Sequence, residues 1–221
     1  MNPLVCDRCG ERADDVTVLA GQQPPAVRCP ACGHEQPFRR LPLYCVTGPS
    51  GTGKSTVARL LLETLAPRYV VVEQDVLWQA GLRDDEPDHR TFRSAWLRMA
   101  AMIHQSGRPV VLCGTVVPPE IEPLPERALF SDVAYLSLMC EPDELAARLR
   151  ARPAWREWDE PRIAEMLDYS AWVSKEAASM HPPVTLLDTT DVPVERTAAS
   201  VVSWLHAHEP QLDDEGRQVA V

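Results

Sequence analysis

The chain has 221 residues, 45% hydrophobic and 24% charged, enough for one sizeable core beside a small appendage. Twenty-two basic residues against 32 acidic ones give a net charge of -10, which argues against a nucleic-acid partner, because such proteins display a basic face. No apolar run approaches the ~20 residues of a membrane helix. The start, MNPLVCDRC, shows no basic stretch followed by an apolar one, so a cytoplasmic protein without membrane contact is expected.

The first 40 residues are electrically neutral, with five arginines and five acids. They hold Cys6-x-x-Cys9 and Cys29-x-x-Cys32, with 19 residues between the pairs and a glycine after each, Gly10 and Gly33. Two tight turns presenting two thiolates apiece suit tetrahedral zinc. Disulfides are the competing reading, but a chain without an export signal keeps its thiols reduced. Four cysteines complete the shell without His34 and leave no position for a catalytic water. A structural zinc ribbon over residues 1–40 is therefore expected, with the metal supplying the folding energy that so short a segment lacks. Its neutral charge and sparse aromatic surface suit a stabilising or docking knob. Cys45, Cys113 and Cys140 lie in apolar runs and read as core.

After a linker over Phe38–Pro42, strands and helices alternate. Strands are expected at Leu43–Thr47, Tyr69–Glu73, Pro109–Cys113, Val133–Cys140 and Val184–Leu187. Helices are expected at Lys54–Ala66, Thr91–Gln105, Pro142–Arg152, Pro161–Met180 and Val194–His206. Val116–Pro125, with four prolines, reads as a stiff loop, and residues 209–221, with four acids, as a frayed acidic tail. Five short strands between helices imply a three-layer α/β fold over residues 43–208, a parallel, doubly wound sheet covered on both faces. Ligands then bind at the carboxyl ends of the strands.

Gly48-Pro-Ser-Gly-Thr-Gly-Lys54-Ser55 matches G-x-x-x-x-G-K-[ST], between an apolar strand and a helix. Gly48, Gly51 and Gly53 let the backbone turn its N–H groups, including those of Ser50 and Thr52, toward phosphate oxygens. The helix beginning at Lys54 adds its positive end. Lys54 is expected to reach the β- and γ-phosphates of ATP and the Ser55 hydroxyl to bind Mg2+, with Thr56 as a second hydroxyl. The third strand ends Val110-Val-Leu-Cys-Gly114-Thr115, without the acid that GTPases and ATPases place there. An acid instead follows the second strand. Asp75 is placed to take a proton from an attacking hydroxyl, and Glu73, still inside the strand, is the weaker alternative. Gly114 and Thr115 leave room for an acceptor. Arg148, Arg150, Arg152 and Arg156, around Pro153, suit a mobile lid that closes cations over phosphates, with Arg148 and Arg152 one turn apart.

The phosphate loop, Asp75, the Arg152-Pro-Ala-Trp-Arg156 lid and Leu187-Asp-Thr-Thr190 together resemble the adenylate-kinase-like P-loop kinases. More narrowly, they resemble the small-molecule and nucleoside kinases that include chloramphenicol phosphotransferase. The resemblance covers residues 43–208. It implies strand order 2-3-1-4-5, Asp75 as base, and a loop of Asp188–Thr190 near adenine. Nucleoside monophosphate kinases show a longer flap with phosphate-binding arginines. Here Arg83, Arg90, Arg93 and Arg98 form no such pattern, and Arg93 is the candidate retained on the acceptor side. Trp78, just past a strand, is a candidate to stack on a planar acceptor, whereas Trp96 has core spacing, and Trp155 and Trp158 suit the lid. These residues point to an ATP- and Mg2+-dependent kinase for a hydroxyl of a small molecule, a nucleoside first. Nucleoside monophosphates and antibiotics are the alternative acceptors. The rival from another class is a regulatory or nucleic-acid-associated NTPase with the ribbon as reader.

Overall fold

The computed structural model describes residues 2–14, 16–82, 84, 86 and 88–209. Of the expected acidic tail only Glu209 falls among them, and there it accepts hydrogen bonds from Arg68 (2.6 Å) and from the Tyr69 hydroxyl. The rest of that segment lies outside the described residues.

A small antiparallel sheet comes first, with β1 (Thr17–Leu19), β2 (Ala26–Arg28) and β3 (Glu35–Pro37) aligned so that Val18, Val27 and Gln36 lie side by side. It is followed by β4 (Leu43–Thr47), α1 (Lys54–Leu65), β5 (Val70–Glu73), α2 (Asp75–Gln79) and α3 (Arg90–His104). Then come β6 (Val110–Cys113), α4 (Pro118–Ile121), β7 (Val133–Met139), α5 (Pro142–Arg150), α6 (Glu160–Glu176), β8 (Val184–Asp188) and α7 (Val194–Ala207). The second sheet is parallel, ordered β5-β6-β4-β7-β8. Counted from β4 as the first strand, that is the order 2-3-1-4-5.

Both faces of the central strands are covered, which is why they read as unbroken apolar runs. Tyr44 and Val46 face α1 and α7, packing with Val57, Leu61, Leu65, Val201 and Leu205. Leu43 and Cys45 face the other layer, with Phe92, Trp96, Leu97 and Ala100 of α3 and Val173 of α6. The buried α1 positions Val57, Ala58, Leu61 and Leu65 recur at three, four and one residue, the stripe that a helix needs to lie on a sheet.

The amino-terminal segment shares that second core layer. Leu4, Val27 and Phe38 are buried in one cluster with Phe92, Trp96 and Ala100. Arg98 of α3 bridges Asp14 (2.8 Å) and the deeply buried Glu126 (2.7 Å), and Gln105 exchanges hydrogen bonds with the Arg39 backbone. The short sheet thus rests on α3 by apolar contact and by polar ties.

Two local expectations change. Asp75 and Trp78, placed only as following the second strand, lie in helix α2, and residues 118–121 of the stretch expected as a stiff loop form α4, with prolines at its first two positions.

Candidate active site

The phosphate loop leaves β4 and enters α1 with Gly48, Gly51 and Gly53 all at positive φ (130°, 99° and 96°), which L side chains avoid. A Cβ on Gly48 would also strike the Leu138 carbonyl, so the loop closes only over glycine at that point. Thr52 fixes the turn by donating to the Pro49 carbonyl (2.9 Å). The Lys54 ammonium donates to the carbonyls of Gly48 (2.6 Å) and Pro49 (2.9 Å). Burial, reinforced by the charge of Arg152, pushes its pKa down to about 8.

Beside the loop lies a cleft of about 490 Å³. Its walls bring together most of the expected residues: Ser50 through Thr56, Asp75, Gly114, Thr115, Arg148, Arg152 and Arg156. Five expected residues, Trp78, Arg93, Asp188, Thr190 and Gly48, do not line it. Trp78 lies edge-on to Phe92 (5.3 Å between ring centroids) and His89 (5.4 Å), against the apolar core. Arg93 is buried in an ion pair with Glu120. Asp188 turns to its own chain, accepting from the Thr190 backbone (2.9 Å) and hydroxyl (2.6 Å), contacts that lower its pKa. Thr190 is thereby taken up as well. The residue between them, Thr189, lines the cleft instead and donates to the Met139 carbonyl (2.8 Å). Gly48 sits behind the loop rather than in the wall.

Sequence reasoning passed over Gln74, and gave Glu73 and Cys113 other places. All three line the cleft. Gln74 joins the two strand ends: its N–H donates to the Cys113 carbonyl (2.8 Å) and its Oε1 accepts from Thr115 N–H (2.9 Å). The Gln74 side chain fills the space that a Cβ at Gly114 would need. Cys113 is buried, which pushes its thiol up to about 12, so it is a wall and not a nucleophile.

The arginines divide by environment. Arg148 is tied down, with Nε on Glu144 (2.6 Å) and Nη2 on the carbonyls of Thr189 (3.0 Å) and Thr190 (2.8 Å). Arg152 and Arg156 make no carboxylate pair among the described residues. Each instead lies over an indole ring, Arg152 on Trp158 (5.5 Å) and Arg156 on Trp155 (4.6 Å). Burial, and then repulsion from Arg156, lowers the pKa of Arg152.

The chemistry of the donors fits a magnesium nucleotide. Hard oxygen ligands for Mg2+ are present in Ser55, Thr115, Glu73 and Asp75 within the same cleft. The four ribbon cysteines likewise converge, with all four Sγ atoms within 4.8 Å of one another. The Cys6–Cys32 and Cys9–Cys29 sulfur separations, 3.7 Å and 3.8 Å, equal the edge of a tetrahedron built on Zn–S bonds of about 2.3 Å, roughly 3.8 Å. Gly10 and Gly33 take positive φ and each returns its N–H to the first cysteine carbonyl of its pair (2.9 Å). Backbone N–H groups, that of Cys9 foremost, lower the pKa of the Cys6 thiol, whereas the neighbouring thiols raise that of Cys9.

A parallel sheet ordered around a central strand, with this loop at its carboxyl edge, defines a P-loop nucleotide-binding protein whose fold is that of the small-molecule kinases. A family model described as "AAA domain" matches residues 45–168, and the chain belongs to that family. Among solved structures it resembles shikimate kinase from Acinetobacter baumannii in complex with shikimate, at 18% identity and TM-score 0.53, covering 79% of this chain and 98% of that one. It also resembles a sugar kinase from a Janibacter species, at 19% identity and TM-score 0.50, covering 78% and 96%. A third likeness, to APE1195, has 14% identity and TM-score 0.52, covering 77% and 98%. Comparison with curated protein sequences finds no match. Among the described residues no helix is long and apolar enough to cross a membrane.

Proposed function

We propose that the protein is an ATP- and Mg2+-dependent phosphotransferase that moves the γ-phosphate to a hydroxyl of a small molecule. The single observation that carries this reading is one cleft combining the phosphate loop, an acid at the end of β5 and two lid arginines, Arg152 and Arg156, that make no carboxylate pair among the described residues. A regulatory NTPase would share the loop and could turn the same acid on water, and transfer to an acceptor is what separates the two.

Loop N–H groups and Lys54 bind the β- and γ-phosphates, with Arg152 and Arg156 adding positive charge from the lid. Mg2+ would be held through the Ser55 hydroxyl and would supply charge neutralisation on the phosphates. Asp75 accepts the acceptor's hydroxyl proton. The oxygen so released bonds to the γ-phosphorus, and the bond from that phosphorus to the β-phosphate oxygen breaks, leaving ADP. Thr115 and Gln74 define the edge against which the acceptor hydroxyl is aligned. Cys6, Cys9, Cys29 and Cys32 hold a structural zinc ion that fixes the amino-terminal sheet.

Nucleosides head the acceptor panel because of the resemblance noted above, although Trp78, the tryptophan expected to stack on a planar acceptor, does not line the cleft. The test is mass spectrometry on nucleosides, sugars, polyols and hydroxylated antibiotics incubated with enzyme and Mg-ATP, with Lys54→Ala as the blank. A phosphoryl mass gain that Lys54→Ala abolishes supports the reading. ATP consumption with every acceptor unchanged overturns it.

A further inference from the structure

Five arginines stand between residues 148 and 162, and three of them are committed to oxygen acceptors of the protein itself. Arg148 is held by Glu144 and by the carbonyls of Thr189 and Thr190. Arg150 pairs with Glu160 through Nε (2.8 Å) and Nη2 (2.7 Å). Arg162 donates to the carbonyls of Arg156 (3.2 Å) and Glu157 (2.6 Å). Arg152 and Arg156 line the cleft, and their side chains find no hydrogen-bond acceptor among the described residues. Two nearby acids are already taken, Glu160 by Arg150 and Asp159 by the Arg162 N–H (3.0 Å) at the start of α6.

Arg152 is the member of this pair closest in effect to the reacting groups. Burial and then its charge lower the Lys54 pKa, and Asp75 opposes the lowering that burial and Arg156 impose on its own. Lys54, Asp75 and Arg152 thus stand within electrostatic reach of one another around the phosphate loop. What supports Arg152 there is an indole. Its Cζ lies 5.5 Å from the centre of the Trp158 ring, inside the roughly 6 Å reach of a cation–π contact. Trp158 is half-buried and packs on Leu145 and Leu149 of α5 and Ile163 of α6. Arg162, fixed by its two carbonyls, lies over the same ring at 4.7 Å and holds it from α6 as well. The corresponding contact of Arg156 with Trp155 (4.6 Å) is at the surface, with Trp155 72% exposed, where water weakens it.

The chemistry of the support matters. A carboxylate would fix Arg152 but cancel its charge and occupy its fork of N–H donors. The face of an indole attracts the cation without neutralising it, so both charge and donors stay available to phosphate oxygens. We propose that Trp158 is a positioning residue for phosphoryl transfer, holding the Arg152 guanidinium charged and unpaired beside the phosphate loop for the γ-phosphate. This rests on the kinase reading above and names the side chain that aims its lid.

The test reads nucleotide binding and needs no acceptor. Titration calorimetry in Mg2+ compares ADP with AMPPNP, which carries the γ-phosphoryl group that ADP lacks. Arg152→Ala is expected to raise the AMPPNP Kd about tenfold and the ADP Kd less than about twofold. Trp158→Leu should reproduce that selective loss at about five- to tenfold, and Trp158→Phe, which keeps a ring face, should recover most of it. In the Arg152→Ala background Trp158→Leu should add nothing, because the two residues act through one contact. Fluorinated tryptophans at position 158 keep the shape and weaken the ring's attraction for a cation. The AMPPNP Kd should therefore rise with each added fluorine, a readout that stands even if the leucine variant does not fold. Equal losses for both nucleotides, a further loss in the Arg152→Ala background, or a fluorine series without a trend overturns the proposal. The selective loss found together with ATP hydrolysis and no phosphorylated acceptor would support the Trp158–Arg152 contact and overturn instead the kinase reading beneath it.

Discussion

The Lys54 ammonium lies 2.6 Å from the carbonyl oxygen of Gly48, the first residue of its own loop. The lysine is therefore held inside the loop that presents N–H groups to phosphate, and burial lowers its pKa to about 8 from an ordinary 10.5. Between those two values the unfolded chain keeps a proton that the folded chain has released, so this group makes folding more favourable as pH rises through that window. Nucleotide affinity runs the other way, because phosphate needs the protonated form. ATP Kd measured from pH 7 to 9.5 should rise with an inflection near 8. Lys54→Ala should bind weakly with no such inflection, keep the wild-type melting profile within a few degrees, and lose at least about a hundredfold in kcat. A pH-independent wild-type Kd across that range would contradict this assignment.

Asp75 opens α2 at the end of β5 and faces the cleft, where the account gives it the acceptor proton. Asp75→Asn keeps the shape and removes the base. The expected result is a loss of about 10²–10⁴ in kcat, with ATP Kd changed less than threefold. Equal losses in kcat and nucleotide affinity would mean that Asp75 serves Mg2+ instead.

Gly114 and Gln74 make a close-packed corner between β5 and β6, because the Gln74 side chain occupies the place of the missing Cβ. Gly114→Ala must displace Gln74 and its bond to Thr115 N–H, and with them the edge that aligns the acceptor. Steady-state kinetics should show a higher KM for acceptor or a lower kcat, with ATP binding retained. Unaltered kinetics would remove that edge from the site.

Much of this arrangement was legible in the sequence because its signals are local. The loop match, the apolar run of β4 and the stripe of α1 each lie within a dozen residues, and their observed limits, Leu43–Thr47 and Lys54–Leu65, differ from the expected ones by one residue at most. What was not legible depends on distant partners. Nothing near Arg93 announces that Glu120, 27 residues on, will neutralise it. Trp78 looked free because helix α2 is only five residues long and lacks a usable period, yet that turn of helix swings its ring onto Phe92. Asp188 and Thr190 were expected beside the nucleotide. The turn they close on each other leaves Thr189 facing the cleft.

The amino-terminal sheet buries Leu4, Val27 and Phe38 in the core layer that holds α3, so loss of the proposed zinc should reach beyond the ribbon. Cys9→Ser is expected to abolish the one zinc per chain measured by mass spectrometry of metals and to lower Tm by more than about 5 °C. It should also change the fluorescence of buried Trp96 while leaving ATP Kd unaltered, because the phosphate loop lies on the opposite layer. A metal-free wild-type protein with the same Tm would refute a structural zinc.

Whether the γ-phosphate goes to a hydroxyl or to water is the question on which the account turns. Incubation with ATP carrying 18O on its γ-phosphate, in the presence of the preferred acceptor and Mg2+, followed by 31P NMR, answers it directly. The account predicts that the labelled phosphorus appears as a phosphate ester of the acceptor, with ADP in equal amount and none of either in Lys54→Ala. Labelled phosphorus found only as free inorganic phosphate would identify a hydrolase and contradict the assignment of Asp75 and the Gly114–Thr115 edge to an acceptor.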